Sequence, residues 1–218
     1  MILALGLLVG LANPVSATTA REVVVKAGVA VEAFLGEMAP DDPIRAYVQN
    51  AFAVVVMPGV IRGGFFLGAE HGFGVMLVRD TVSGRFGPPA FVELFSGSLG
   101  IQFGGQTSDA IVTVMNPDAV ERLLTGDVKL GADMGIAVAR LGRNVGASTT
   151  GNFKEDLYVF QRSIGLFGGA ALSGGGLVPQ NLMNRDYWGD DVVLAELVRD
   201  FDRVDQRTAD LQHLLTRF

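Results

Sequence analysis

Glycines recur every few residues between Met57 and Met115, separated by aromatic and β-branched residues and without a helix-forming run. Apolar runs of strand length alternate there with Gly, Ser or Asp pairs, a pattern that predicts β-strands. A glycine inside a strand usually marks a bulge, a bend or a close approach between backbones. We therefore expect a strongly curved sheet, as in a barrel or half-barrel.

Helices are predicted on both sides of the glycine-rich stretch. Cap and break signals indicate helices over about 19–38, 43–51 and 119–125. Near the C-terminus, apolar residues from Val193 to Leu215 recur at steps of three and four, which predicts one long helix over 190–216. The expected class is α+β, with a glycine-rich antiparallel sheet covered by the N-terminal helices and the long C-terminal helix.

The first residues have the pattern of a secretory signal peptide. An apolar run of eleven residues, Ile2 to Ala12, precedes the small-residue sequence Val15-Ser16-Ala17. A membrane-spanning helix would need about twenty apolar residues. We therefore predict a signal peptide over 1–17, a single domain over 18–218, and a secreted or periplasmic protein that lies peripheral to a membrane.

Composition and motifs argue against several functional classes. The net charge of −6 and the lack of any Lys/Arg block argue against nucleic-acid binding. No phosphate-binding glycine motif occurs, and Ser96-Gly97-Ser98-Leu99-Gly100 departs from the nucleophile-elbow pattern. The two histidines, His71 and His213, favour no catalytic or zinc site, and the acidic pairs fit helix caps and turns better than calcium ligands. We expect no enzymatic activity, no cofactor and no metal.

Arginines near predicted strand ends and turns are the candidates for a membrane contact. Arginine binds lipid phosphate through two parallel hydrogen bonds, and aromatic side chains insert at the headgroup boundary. For each arginine, a solvated position or an ion pair is the alternative unless several share a face. The candidate lipid-binding residues are Arg62, Arg79, Arg85, Phe86, Arg162, Arg185 and Trp188, with Phe65 as a further exposed aromatic.

Several motifs resemble those of a known family in order and spacing. They are Arg62-Gly63-Gly64-Phe65 with Gly68, Gly72 and Gly74; Pro89-Ala90-Phe91; Gly100 to Gly104; Ser108-Asp109; Val128 to Asp133; and Ile164 to Gly169 with Asn184 to Gly189. The chain resembles the SYLF domain family over about 33–189. It departs from the family pattern at Phe86, where Trp is usual, and at Ile164, where Lys is usual.

The resemblance implies a non-enzymatic module that binds phospholipid, with phosphoinositides bound by eukaryotic members and actin by some fungal ones. The leading expectation is therefore binding to an anionic phospholipid surface of the cell envelope, at one rim of the curved sheet. The alternative is a structural or protein-interaction module that contacts its partner through the terminal helices. A large apolar patch on a terminal helix would favour that alternative.

Overall fold

The computed structural model describes residues 18–64, 67–99, 104–126, 129–140, 154–164, 175–203 and 205–218. The predicted signal peptide, residues 1–17, and Phe65 lie outside the described residues. Within the described part, the strands are β1 (Ala53–Gly64), β2 (Leu67–Val78), β3 (Ala90–Leu99), β4 (Gly104–Val114), β5 (Ile136–Arg140), β6 (Leu157–Ile164) and β7 (Gly175–Pro179).

These strands form one curled, half-barrel sheet in the order β5-β6-β4-β1-β2-β3-β7. The predicted α+β class and the strong curvature are confirmed. Neighbouring strands pair antiparallel except β5 and β6, which are parallel. The all-antiparallel expectation is thus wrong for this edge pair, because the chain returns to the same end of the sheet between β5 and β6.

The helices among the described residues are α1 (Ala20–Glu37), α2 (Ile44–Asn50), α3 (Pro117–Thr125), α4 (Asn181–Trp188), α5 (Leu194–Leu197) and α6 (Gln206–Leu215). The predicted start of α1 is confirmed, since Thr19 and Glu22 form a reciprocal capping box. Helix α3 starts after Asn116, whose side chain accepts from the Asp118 amide, and ends at Gly126, with φ of 80°.

Both faces of the sheet are covered, and side chains alternate between them along each strand. In β1, Val54 and Val56 join a core with α1, α2 and α6, and we call this side the α1 face. Val55 and Met57 join a second core with α3 and the segment around α5, on the side that we call the α3 face. The sheet is therefore a central layer between two hydrophobic cores.

The chain does not leave the sheet at Pro58, although proline interrupts the hydrogen-bond ladder of a strand. Instead β1 continues to Gly64 through a bulge, at which the registers with β2 and β4 shift. Gly59 has φ of 62°, which favours glycine, and its amide donates to Asp109 Oδ1 at 2.9 Å. The bulge accommodates Pro58, which has no amide hydrogen for the ladder.

The predicted long C-terminal helix is wrong, because residues 190–216 form two separate helices, α5 and α6. Val198 packs in the core of the α3 face, whereas Leu211 and Leu215 pack in the core of the α1 face. One straight helix cannot reach both faces of the sheet. Asp205 caps the start of α6 by accepting from the Arg207 amide at 2.9 Å, so the break has a local signal as well.

Candidate functional site

The candidate arginines lie at two ends of the sheet. At the glycine end, β1 finishes at Gly64 and β2 begins at Leu67. At the turn end, β1 begins at Ala53 and β2 finishes at Val78. Arg62 is nine residues along β1 from Ala53, a distance of about 30 Å at strand spacing.

At the glycine end, Arg62 forms a buried ion pair with Glu70. The two residues are direct partners of β1 and β2, and the Arg62 Nε and Nη2 groups both donate to Glu70 Oε1. Their side chains are only 12% and 6% exposed. Burial raises the pKa of Glu70, although the nearby Arg62 guanidinium acts in the opposite direction. A lipid phosphate could bind Arg62 only by breaking this pair.

Arg162 lies at the same end but on the opposite face of the sheet. Its position in β6 follows Phe160 on the α1 face, whereas Glu70 lines the α3 face. The Arg162 guanidinium donates to Glu37 Oε1 at 2.7 Å and to Asp109 Oδ2 at 3.1 Å. These contacts, the hydrogen bond to Glu37 first among them, raise the pKa of Arg162.

The turn end brings together Arg79, Arg85, Phe86 and Trp188. Phe86, in the connection between β2 and β3, pairs with Arg79 in an isolated bridge and is buried, so the expectation that Phe86 is an exposed aromatic is wrong. Its carbonyl accepts from Gln212 Nε2 in α6 at 2.9 Å, which holds the hairpin against that helix. Trp188 is half-buried and donates from Nε1 to the Pro89 carbonyl at 3.0 Å.

Charges at the turn end are mixed. Arg85 lies 3.5 Å from Asp202, and Arg185 is exposed in the last turn of α4. The groove beside Trp188 is acidic, with Asp190, Asp191, Glu196 and Asp200 among its lining residues. This composition offers no concentrated positive charge for an anionic membrane. The role of all seven candidate residues in lipid binding stays a prediction.

A surface that the sequence did not indicate lies at the glycine end of the α1 face. Ile61, His71 and Phe95 are direct neighbours across β1, β2 and β3, so their side chains form one row on one face. Ile61 is 62% and Phe95 is 51% exposed. We call these three residues the Ile61–Phe95 patch. The two exposed apolar side chains flank His71, and an apolar surface of this kind is a candidate interaction site.

Polar and ring contacts position the centre of this patch. His71 Nε2 lies 2.9 Å from Glu93 Oε1, and the His71 ring meets the Phe73 ring edge-on at 4.9 Å between centroids. Phe95 lies across the backbone of Gly176 in β7, where a β-carbon would collide with the ring. The pairing register of the strands therefore fixes the positions of the three patch residues, and the Ile61 and Phe95 side chains remain exposed to solvent.

A second exposed apolar feature occurs on α1. Val25 and Val29 are one helical turn apart and each is 61% exposed. We call this pair the Val25–Val29 stripe. It lies on the outside of the helix, since Val24, Ala27 and Val31 are buried against the sheet.

Two further features concern the part of the chain that the structure describes. No group of three or more His, Asp or Glu side chains there is arranged to hold a metal ion. Among the same residues, no helix has the length and apolar character needed to cross a bilayer.

Known proteins share sequence with this chain over most of its length. The family model Ysc84, described as Las17-binding protein actin regulator, matches residues 95–218. SH3 domain-containing YSC84-like protein 1 of Xenopus laevis is 29% identical over 72% of this chain, and the Homo sapiens protein of that name is 26% identical over 82%. An SH3 domain-containing protein of Schizosaccharomyces pombe is 28% identical over 69%.

The chain spans about half or less of the length of these relatives. The similar region covers 47% of the Xenopus laevis protein, 52% of the Homo sapiens protein and 35% of the Schizosaccharomyces pombe protein. The family match includes Phe95 and the C-terminal helices, whereas Ile61 and His71 of the patch precede its first residue.

Proposed function

Because the chain belongs to the Ysc84 family, whose domain is the SYLF domain, we propose that it is a non-enzymatic module that binds anionic phospholipid surfaces of the cell envelope. The observation that carries this proposal is the Ile61–Phe95 patch at the glycine end of the sheet. Ile61 and Phe95 enter the headgroup boundary, while the strand residues of the two hydrophobic cores stay buried.

Arg162 supplies the preference for anionic headgroups in this proposal. It lies on the α1 face and at the glycine end, as the patch does. Its partner Glu37 is half exposed, and a partly exposed ion pair of this kind adds little stability, whereas the more buried Asp109 keeps its contact with the guanidinium. A lipid phosphate can therefore replace Glu37 and accept two parallel hydrogen bonds from the guanidinium. Arg62, whose side chain is buried in its pair with Glu70, takes no part.

The proposed location is secreted or periplasmic, peripheral to a membrane. It is supported by the signal-like pattern of residues 1–17. Sequencing the N-terminus of the exported protein tests it, with Thr18 expected as the first residue. An N-terminus that still includes residues 1–17 would contradict this location.

Replacing Ile61 and Phe95 by serine is expected to weaken vesicle binding by roughly tenfold or more. Each side chain is about half exposed, so its transfer into lipid contributes about 1 kcal/mol. Two such contributions exceed about 1.4 kcal/mol, the free energy that corresponds to a tenfold change in the dissociation constant. The measurement is co-sedimentation of residues 18–218 with anionic and zwitterionic vesicles at low and high salt.

The matched control is the double variant Val25→Ser/Val29→Ser, which also removes two exposed apolar side chains. It should bind vesicles as the unmodified protein does. Arg162→Gln should reduce the difference between anionic and zwitterionic vesicles, together with the sensitivity to salt. If neither type of vesicle brings the unmodified protein down, the lipid proposal is wrong.

The second candidate function is a protein-interaction module, and the Val25–Val29 stripe favours it. The family description names a Las17-binding actin regulator, and the relatives contain SH3 domains according to their names. Under this alternative, α1 contacts a protein partner such as filamentous actin. Actin co-sedimentation that depends on Val25 and Val29, without vesicle binding, would support it over the lipid proposal.

A further inference from the structure

His71 occupies the centre of the Ile61–Phe95 patch, and its imidazole ring is open to solvent. The His71 side chain is 53% exposed and lies between Ile61 and Phe95 in the row that crosses β1, β2 and β3. When two apolar side chains enter the headgroup boundary, a polar group between them comes to the level of the lipid phosphates. The ring is therefore placed to contact a phosphate.

The contact with Glu93 determines which imidazole nitrogen is available. Nε2 of His71 lies 2.9 Å from Glu93 Oε1. An ionised carboxylate can only accept hydrogen bonds, so Nε2 carries a hydrogen in this contact whether or not the ring is charged. Glu93 is itself positioned by Gln180, whose Nε2 donates to Glu93 Oε2 at 3.3 Å. The proton that His71 takes up on acidification therefore goes to Nδ1.

We infer, resting on the membrane contact proposed above, that protonated His71 binds a lipid phosphate, so that acidification strengthens binding to anionic membranes. The Nδ1 group then donates to a phosphate oxygen, and the positive ring offsets the negative charge of Glu93 within the patch. At higher pH the neutral ring lacks that donor, and Glu93 repels anionic headgroups. Imidazole is the side chain that ordinarily changes its charge between about pH 5 and 8.

Other charged groups lie near the patch but do not contact His71. Among the described residues, Glu93 is the one charged group within hydrogen-bond distance of the ring. On the same face, Arg162 of β6 contacts Asp109 of β4 and Glu37 of α1. Glu70, the neighbour of His71 in β2, lies on the opposite face. A change in the charge of these groups with pH would be the same in a variant that lacks His71, so such a variant isolates the imidazole.

Co-sedimentation of the protein with phosphatidylglycerol vesicles at about pH 5.5 and about pH 8 tests the inference, since this lipid stays anionic over that range. At matched salt, the unmodified protein should bind about fivefold more tightly at the lower pH, the gain from one additional positive charge at a membrane surface. His71→Gln retains a donor for Glu93 but cannot become charged, so it should bind at both pH values as weakly as the unmodified protein does at the higher one.

The matched control is His213→Gln, which removes the other histidine of the chain, exposed in α6. It should keep the full dependence of binding on pH. Circular dichroism checks that His71→Gln is folded, and His71→Asn replaces it if it is not.

Two results would overturn the role of His71 and leave the membrane contact standing. They are equal binding of the unmodified protein at the two pH values, and a pH dependence that persists without His71. No binding at either pH would overturn both the membrane contact and the role of His71. Soluble glycerol phosphate at matched ionic strength should not release the bound protein, because it lacks the acyl region that Ile61 and Phe95 enter. Release by it would overturn the choice of a membrane headgroup as the phosphate source.

Discussion

Replacement of Glu70 by alanine is expected to lower the free energy of unfolding by about 3 to 5 kcal/mol. The substitution leaves the Arg62 guanidinium charged in a site where its side chain is only 12% exposed and where Glu70 was its ion-pair partner. A buried charge without its partner is among the most destabilising changes in a folded protein. Urea unfolding at neutral pH, followed by circular dichroism, measures the effect.

The double variant Arg62→Met/Glu70→Leu separates the loss of the pair from the loss of one partner. It removes both charges and restores apolar contacts, so we expect a change of less than about 1 kcal/mol from the unmodified protein. If Glu70→Ala costs no more than the double variant, Arg62 is not held in a buried site.

The same double variant has an expected pH signature. Burial raises the pKa of Glu70, so the folded protein binds the Glu70 proton more tightly than the unfolded chain does. The resulting stabilisation is fully present below the pKa of an unfolded glutamate and is lost as the pH rises through the raised pKa. As the pH rises through that window, the unmodified protein should therefore lose stability relative to the double variant.

Replacement of Asn184 by leucine is expected to lower the free energy of unfolding by roughly 1 to 3 kcal/mol, since the buried Phe91 amide loses its acceptor, whereas the Phe91 carbonyl still accepts from the Gln180 amide. Asn184 is 1% exposed and binds the backbone of β3 as a neighbouring strand would. Its Oδ1 accepts from the Phe91 amide and its Nδ2 donates to the Phe91 carbonyl, both at 2.8 Å. Thermal and urea unfolding measure the change.

Asn181→Leu provides the matched control for this prediction. Asn181 starts the same helix, α4, and is exposed, so the identical chemical change should alter stability by less than about 0.5 kcal/mol. Equal effects of the two substitutions would show that Asn184 does not anchor α4 to the sheet.

Local signals were sufficient to predict much of this fold. Thr19 and Glu22 mark the start of α1, Gly126 marks the end of α3, and the spacing of glycines indicates the curved sheet. The division of the C-terminal segment was missed, because its helical period continues across the break. Which face each half packs against depends on the position of the sheet edge, and that is a property of the whole fold.

The candidate site was harder to predict from the sequence than the fold was. Arginines at the ends of strands could be recognised, but their partners are distant in sequence, as Glu37 is from Arg162. The Ile61–Phe95 patch depends on the register of three strands, and a shift by one residue would turn each side chain to the other face. Ion pairing and register both arise from contacts across the sheet, so neither can be read from one segment alone.

The most direct test of the account asks which end of the sheet meets the membrane. The chain has one tryptophan, Trp188 at the turn end, and the variant Phe95→Trp/Trp188→Phe moves this reporter to the glycine end. Each protein is bound to anionic vesicles that contain brominated phospholipid, and quenching of tryptophan fluorescence is measured. We predict strong quenching of the tryptophan at position 95 and little quenching of Trp188. Quenching of Trp188 without quenching at position 95 would contradict the account.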